Sequence, residues 1–342
     1  MSATYVICPA GLVTGGAELL HQLASTLRGG GRDAHIVYHP FDGPADVPQP
    51  YAKYDLSVAR RQNIRAGDTV VLPEVYTSQA TDFPDNRVVL WWLSVDNFRA
   101  GLGSARVARI LPGFAHPLAR SLAKRIRFLS AIPRWAGRRG GIAELAGVHL
   151  HLHQSEFARR YLEANGLGPT APLGDYINDE YLELIAHPPT LPRENLVTFN
   201  PLKGAERTAR ILAALQERGI DAAPTPIRGY TREQVRDLLS RAKLYIDFGN
   251  HPGKDRIPRE AAAMGACVIV NRRGSAGNAI DVPLPDEYKV DDEAEGFEIE
   301  AAEKIRAVLT DFETHSQRFD PYRAQIAAEH DEFVRQALTL FA

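Results

Sequence analysis

The stretch Leu244–Ser275, LYIDFGNHPGKDRIPREAAAMGACVIVNRRGS, is the most informative part of the 342-residue chain. Residues 244–248 form an apolar run typical of a buried strand, and the glycines and proline within 249–253 end it. The residues that follow predict a short alanine-rich helix over 259–264 and a second strand over 267–270. The turn and the helix start carry five charged residues: Lys254, Asp255, Arg256, Arg259 and Glu260. Because ligands of open α/β sheets bind where strands end and helices begin, this charge predicts a site for a phosphorylated ligand.

The composition is that of an ordinary globular protein, and the length favours two domains. Apolar residues make up 44% and charged residues 24% of the chain, and the formal net charge of −2 gives no overall attraction to nucleic acid or membrane. Cys8 and Cys267 fall in predicted strands and indicate core thiols of a reducing compartment, not a disulfide framework or a zinc site. The longest apolar run, Val88–Leu93, is too short to cross a bilayer, and no leader pattern precedes the first strand. We therefore expect a cytoplasmic protein, with peripheral contact at the inner face of the membrane left open.

The N-terminal part starts with a strand–loop–helix–strand pattern. Strand residues 4–8 lead into a loop containing Gly15 and Gly16, then an amphipathic helix over 17–28 and a second strand over 35–38. Glycines in such a loop allow a ligand to approach the backbone. Their spacing is not that of the dinucleotide-binding fingerprint, and a plain tight turn is the alternative interpretation.

Asp96 follows another predicted strand, at residues 87–93. An acid placed directly after a buried strand lies at the carboxyl edge of the sheet and faces any ligand cleft there. We therefore treat Asp96 as a candidate catalytic carboxylate, with a helix cap or a salt-bridge partner as the alternative. Trp91 and Trp92, in the same strand, are interpreted as core residues and not as platforms for a sugar.

The segment 99–139 is strongly basic. Ten basic residues and no acidic one lie between residues 98 and 143: Arg99, Arg106, Arg109, Arg120, Lys124, Arg125, Arg127, Arg134, Arg138 and Arg139. Apolar residues, including Trp135, are interleaved with them, as in surfaces that bind an anionic membrane. A solvated basic face or a phosphate-rich acceptor cleft is an equal alternative. Nucleic acid is not expected as a partner, because residues 281–303 are strongly acidic.

Three histidines, His149, His151 and His153, alternate along a predicted strand and so point to one side of it. A metal site is one interpretation of this row. No carboxylate or cysteine completes the ligand set, so we favour a partly solvated strand face.

The C-terminal part repeats the α/β pattern. Residues 171–195 are rich in proline and glycine and indicate a linker between an N-terminal domain, 1–170, and a C-terminal domain, 196–320. The final residues, 321–342, predict an amphipathic helix. Further strand–turn–helix patterns carry Asn200-Pro201-Leu202-Lys203-Gly204 and Gly229-Tyr230 at their turns. The predicted fold class is α/β with two Rossmann-like domains.

This arrangement resembles the GT-B glycosyltransferases, in particular the large, mostly retaining class that includes the family 4 enzymes. Four motifs carry the resemblance in order: Gly15-Gly16-Ala17-Glu18-Leu19, Thr198 to Gly204 (TFNPLKG), Gly229-Tyr230 with the strand 242–247, and Arg259 to Gly265 (REAAAMG). The resemblance covers most of the chain and is strongest over 196–275. It implies two domains that face each other across a cleft, with the nucleotide-sugar donor in the C-terminal half and the acceptor on the N-terminal side. It also implies that the last helix crosses back to the N-terminal domain.

The resemblance assigns roles to individual residues. Lys203 would neutralise the donor diphosphate, and Glu260 would accept hydrogen bonds from the ribose hydroxyls. Because cations of the chain can stabilise the charge on the leaving phosphate, no metal or other cofactor is expected. Asp96 would act as general base in an inverting enzyme or orient the acceptor in a retaining one, with Asp255 as the alternative carboxylate. The other candidate donor-binding residues are Gly15, Gly16, Asn200, Gly204, Gly229, Gly253, Lys254, Asp255, Arg256 and Arg259.

The chain departs from the family pattern at two places. The family has a glutamate eight positions before Glu260, where this chain has Pro252, and the arginine ahead of the Lys-Gly turn is absent. We hypothesise that Arg256 or Lys254 supplies the missing positive charge.

The expected activity is transfer of a sugar from a nucleotide diphosphate to a glycan or lipid-linked acceptor, as in bacterial surface polysaccharide or glycoconjugate synthesis. A retaining reaction is favoured over an inverting one. The alternatives are a nucleotide-sugar epimerase with the GT-B fold and a catalytically silent module that binds a sugar or a partner protein.

Overall fold

The computed structural model describes residues 2–98, 142–145, 147–187 and 191–342. It divides into two compact units, unit 1 (Met1–Gly174 and Phe333–Ala342) and unit 2 (Asp175–Glu332). The basic segment 99–139 lies outside the described residues, so its interpretation as a membrane or acceptor surface stays a prediction. Among the helices of the described ranges, none is long and apolar enough to cross a bilayer.

Unit 1 is built on a seven-stranded parallel sheet. Its strands are β1 (Thr4–Pro9), β2 (Ala34–His39), β3 (Val58–Ala59), β4 (Thr69–Pro73), β5 (Arg87–Trp92), β6 (Leu150–His153) and β7 (Thr170–Pro172). Their order in the sheet is β3-β2-β1-β4-β5-β6-β7. The described α-helices are α1 (Gly15–Gly29) and α2 (Glu156–Ala164), and short 3₁₀ helices lie at Gln49–Tyr51, Arg61–Asn63, Glu74–Asp82 and Ile142–Leu145.

The central strands of unit 1 are buried along their whole length, as expected for parallel strands covered on both faces. Trp91 and Trp92 are fully buried, which confirms their interpretation as core residues. His151 is also fully buried, and its Nδ1 accepts a hydrogen bond of 3.1 Å from Trp92 Nε1. The expected partly solvated strand face is therefore wrong for this histidine, because a tryptophan N–H in the core needs an acceptor.

Unit 2 contains a five-stranded parallel sheet. Its strands are β8 (Glu194–Phe199), β9 (Ala223–Pro226), β10 (Ala242–Asp247), β11 (Cys267–Asn271) and β12 (Lys289–Val290), in the order β12-β11-β10-β8-β9. The helices are α3 (Asp179–Ala186), α4 (Ala205–Glu217), α5 (Arg232–Arg241), α6 (Arg256–Ala263), α7 (Phe297–Thr310), α8 (Phe312–Gln317) and α9 (Asp320–Leu340), with 3₁₀ helices at Gly274–Gly277 and Asp286–Tyr288. From Phe333 onward, α9 belongs to unit 1.

Two local features differ from the sequence-based expectation. The helix predicted over 259–264 begins at Arg256, so Pro258 lies within its first turn, where the missing N–H has no intrahelical partner to lose. The stretch 171–195, predicted as a linker, contains the helix α3, which buries Tyr181. The boundary between the two units, at Gly174 and Asp175, falls within this stretch.

Candidate functional site

The candidate site of unit 2 is formed by the loops that follow two neighbouring strands. β8 and β10 pair in parallel with Phe199 opposite Ile246, so the loops after them meet at the same edge of the sheet. There, Lys203 Nζ lies 2.7 Å from Asp255 Oδ2 and 3.5 Å from Asp247 Oδ2. The predicted cation Lys203 is thus brought to the charged turn of the opening stretch.

His251 completes this cluster from within the same loop. Its Nδ1 lies 2.6 Å from Asp255 Oδ2, and its Nε2 lies 3.8 Å from Asp247 Oδ1. Asp247 also accepts hydrogen bonds from the Tyr245 hydroxyl, at 3.1 Å, and from the Gly249 amide, at 3.0 Å. We call Lys203, Asp247, His251 and Asp255 the Lys203 cluster. Sequence reasoning missed the roles of Asp247 and His251, although an acid as the last residue of a buried strand was a usable signal.

The electrostatics keep both partners of the central pair charged. Burial opposes the charge of Lys203, but Asp255 and Asp247 outweigh it and raise the pKa of the ammonium. Burial likewise opposes ionisation of Asp255, but His251 and Lys203 hold the pKa of this carboxyl below its ordinary value. At neutral pH the site therefore presents an ammonium held between carboxylates.

Two glycines of the site are required by close backbone approach. Gly204 has a φ of +59°, and a Cβ at this position would lie 2.2 Å from the Phe248 carbonyl oxygen. Gly274 has a φ of +54°, and a Cβ at this position would lie 2.0 Å from the His251 carbonyl oxygen. The turn that carries Lys203 therefore packs closely against the backbone that follows β10.

The other predicted residues of the turns occupy supporting positions. Asn200 Oδ1 accepts a hydrogen bond of 3.0 Å from the Leu202 amide and shapes the turn that carries Lys203. The Gly253 carbonyl accepts a hydrogen bond of 2.6 Å from Ser275 Oγ. Gly229 has a φ of +76° in the connection from β9 to α5 and has open space around it.

Arg256 and Glu260 lie one turn apart at the start of α6. The Arg256 Nε and Glu260 Oε1 atoms are 3.9 Å apart, and both side chains are partly exposed. They stay candidates for contact with a donor.

Lys254 and Arg259 are placed differently from the prediction. Arg259 is only 1% exposed and donates to Asp175 and Glu329, at 2.6 Å each. Lys254 points to the same two carboxylates. Direct contact of Arg259 with a donor does not fit this placement, because its guanidinium lies within the interior of unit 2.

The predicted residues of unit 1 lie at the start of α1 and after β5. Gly15 and Gly16 form the first turn of α1, and a Cβ at Gly16 would lie 3.7 Å from Leu93 Cδ1. Asp96 is partly exposed in a helical turn over 95–98. The Glu74 carboxylate, which sequence reasoning missed, fixes that turn.

Glu74 is buried and bonds residues on either side of Asp96. It accepts hydrogen bonds from the Leu93 amide, at 3.1 Å, and from Asn97 Nδ2, at 3.3 Å. The structure therefore brings Gly16 and Asp96 to the same edge of the unit 1 sheet.

Three members of the Lys203 cluster have ligand types that a metal ion could use. The ligand atoms of Asp247, His251 and Asp255 all lie within 4.8 Å of one another. The ammonium of Lys203 already contacts both carboxylates, so a metal ion would have to displace a cation of the chain. The residues of this site fit a lysine ammonium better than a metal ion, and a metal-independent reaction stays a prediction.

Comparison with solved structures places the whole chain in one fold. A sucrose-phosphate synthase from Thermosynechococcus elongatus is 14% identical, with a TM-score of 0.61 over 100% of this chain and 98% of that one. HepE of Anabaena, solved in complex with UDP, is 12% identical, with a TM-score of 0.59 over 99% and 98%. WaaG, a glycosyltransferase involved in lipopolysaccharide biosynthesis, is 12% identical, with a TM-score of 0.55 over 99% and 98%.

The chain has the GT-B fold. Its two parallel sheets match those of the solved structures over nearly the full length of both chains, which confirms the predicted fold class. No protein-family model and no curated protein sequence matches the chain. At 10–14% identity, the similarity to solved structures shows the fold alone, so the activity has to be argued from the site.

Proposed function

We propose that the protein is a glycosyltransferase that moves a sugar from a nucleotide diphosphate to a saccharide acceptor. The observation that carries this proposal is the position of Lys203, at the carboxyl edge of a parallel sheet and directly before the N-terminus of α4. Helix N-termini and a fixed ammonium together form a site for a diphosphate. Solved structures of the same fold include one in complex with UDP, which supports the choice of ligand.

The Lys203 cluster suits the chemistry of the departing group. An ammonium has three N–H donors, and contacts to Asp255 and Asp247 use two directions, so a third can be directed at a phosphate oxygen. When the glycosidic bond breaks, negative charge grows on the leaving oxygen, and a cation already in place stabilises it without reorganisation. Lys203 would therefore stabilise the transition state more than the bound donor.

The remaining roles in unit 2 concern orientation of the nucleotide. The Glu260 carboxylate would accept hydrogen bonds from the ribose hydroxyls, and Arg256 would approach the phosphates from the first turn of α6. Both side chains lie on the partly exposed side of that helix. We expect Asp96 of unit 1 to serve the acceptor hydroxyl, as general base or as an orienting group.

The finer assignments belong to the same proposal. We propose a glycan or lipid-linked saccharide as acceptor, a metal-independent reaction and, for the stereochemistry, retention. Contact of the segment 99–139 with an anionic membrane is proposed from its charge alone. Vesicle flotation at low and high salt tests that contact, and equal flotation with neutral and anionic lipid would contradict it.

A module that binds a nucleotide sugar without transferring it is the second candidate function. Pro252 stands where the resemblance leads one to expect a glutamate, so this position offers no carboxylate to the donor sugar. A panel of nucleotide sugars, with release of the nucleoside diphosphate as readout, separates the two candidates. Release with one donor supports the transferase, whereas tight nucleotide binding with no release from any donor supports the binding module.

A further inference from the structure

Unit 2 contains a balanced set of four charges, which we call the buried quartet: Asp175, Lys254, Arg259 and Glu329. Asp175, Arg259 and Glu329 are buried, and the Lys254 side chain is 12% exposed. Arg259 donates to both carboxylates at 2.6 Å. Lys254 Nζ lies 3.1 Å from Glu329 Oε1 and 3.4 Å from Asp175 Oδ1. Each cation therefore bridges both anions.

The guanidinium of Arg259 also holds the backbone of the loop that precedes it. It donates to the Lys254 carbonyl oxygen at 3.0 Å and to the Asp255 carbonyl oxygen at 3.2 Å. One rigid, planar group thus joins two carboxylates to two consecutive peptide units. Because the same guanidinium bonds both carboxylates and both carbonyl groups, we expect the position of the loop at 254–255 to depend on the carboxylates.

The two carboxylates come from the two ends of unit 2. Asp175 is the first residue of that unit, and Glu329 lies on α9, close to its last residue, Glu332. In sequence they are 84 and 70 residues away from Arg259. The loop of the Lys203 cluster is therefore anchored to both chain ends of the unit that carries it.

A contribution to the stability of unit 2 does not by itself explain why the chain has such a quartet. The desolvation of these four charges offsets most of their mutual attraction, and apolar replacements of buried ion pairs are often as stable or more stable. What the quartet supplies is a defined position for the loop backbone. The carboxylate of Asp255, whose carbonyl Arg259 holds, is also the one that fixes Lys203 at 2.7 Å.

We propose that Asp175 and Glu329 are positioning residues for Lys203, acting through Lys254, Arg259 and the loop at 254–255. This inference rests on the proposed function, since it concerns the position of the cation that meets the diphosphate. Displacements of about 1 Å at a group that binds a reacting phosphate cost large factors in rate and affinity.

Neutralising Lys254 and Glu329 singly and together distinguishes a positioning role of the quartet from an effect of unbalanced charge. Lys254→Gln and Glu329→Gln each leave the remaining charges of the quartet unbalanced, whereas the double variant removes one charge of each sign and keeps the Arg259–Asp175 pair. We expect both single variants to lower the melting temperature and the double variant to restore much of it. The exposed pair Arg218–Glu303, at 2.8 Å, gives a matched control when it is neutralised in the same way.

Two readouts are followed in the full-length protein. The first is hydrogen–deuterium exchange of the amides at 249–256, which we expect to be about tenfold faster in the double variant, with the control unchanged. The second is the dissociation constant of UDP, which we expect to rise about tenfold in the double variant although its melting temperature has recovered.

The proposal is overturned if exchange at 249–256 in the double variant equals that of the unchanged protein, because the loop would then not depend on the quartet. It is equally overturned if loop exchange rises while UDP affinity stays the same. Failure of the unchanged protein to bind UDP or any other nucleoside diphosphate contradicts the proposed function, and thereby the positioning role, while the exchange data still report whether the quartet anchors the loop.

Discussion

Lys203 and Asp255 meet at the carboxyl edge of the unit 2 sheet, with Nζ 2.7 Å from Oδ2, although 52 residues separate them in the sequence. Burial opposes the charge on each of them, and their mutual attraction, assisted by Asp247 and His251, keeps both ionised. The pair places a cation where a parallel sheet of this kind presents its ligands. Its consequences for binding and stability can be measured directly.

Replacement of Lys203 by alanine should weaken transfer activity by about 100-fold, because a fixed charge at the leaving phosphate is removed. The measurement is kcat/KM with the donor identified in the nucleotide-sugar panel. Lys304→Ala is the matched control, since Lys304 is also a lysine of unit 2 and pairs only with Glu300 on the same helix in the described structure. Equal losses in both variants would mean that Lys203 has no special role.

Arg256→Ala should lower kcat/KM by about tenfold or more, since a second cation at the start of α6 is removed from the phosphates. The side chain lies next to Glu260, with Nε 3.9 Å from Glu260 Oε1. Steady-state kinetics with a fixed acceptor measure the effect. Unchanged kinetics would exclude Arg256 as the replacement for the arginine that the family pattern has before the Lys-Gly turn.

Gly204→Ala should destabilise unit 2 by at least about 3 kcal/mol, because left-handed backbone and a backbone clash add up at this position. The new Cβ would lie 2.2 Å from the Phe248 carbonyl oxygen. Gly219→Ala is a control with the same backbone geometry, a φ of +61°, and open space around it. Urea unfolding should show a loss of only about 1 kcal/mol for the control, and equal losses would show that the contact with Phe248 is not tight.

Unit 1 should lose stability on acidification between about pH 6.5 and pH 4. Burial lowers the pKa of His151 from 6.5 to about 4, against a hydrogen bond to the Leu145 backbone that raises it. The unfolded chain therefore binds a proton in this range while the folded chain does not, so the free energy of unfolding falls as the pH falls. The full effect is on the order of 3 kcal/mol, reached below pH 4.

The pH prediction is checked by denaturant unfolding with tryptophan fluorescence as the probe of unit 1. In His151→Gln, an amide oxygen can still accept from Trp92 Nε1, and the variant should show a shallower loss of stability over the same range. A pH dependence identical to that of the unchanged protein would assign the effect to other groups.

The sequence predicted those features that depend on local pattern. Continuous apolar runs identify β1, β5 and β10 because a strand buried on both faces has no polar alternation to obscure it. The turn of Lys203 and Gly204 and the charged turn after β10 could be found because loops at the carboxyl edge of a parallel sheet converge by topology alone. The GT-B fold followed from the order of these units.

The sequence did not reveal which charges pair with each other. Arg259 has an acceptable position for a ligand contact at the start of a helix, and only the fold brings Asp175 and Glu329 to it from 84 and 70 residues away. His151 was misjudged for the same reason, because its partner Trp92 lies 59 residues away. Partner choice between distant residues is a property of packing, which periodicity does not encode.

A crystal structure in complex with UDP would show directly whether Lys203 meets the diphosphate. We expect the β-phosphate to lie within hydrogen-bond distance of Lys203 Nζ, at the N-terminus of α4, and a ribose hydroxyl to contact Glu260. A diphosphate bound elsewhere on unit 2, with Lys203 still directed only at Asp255 and Asp247, would contradict this expectation.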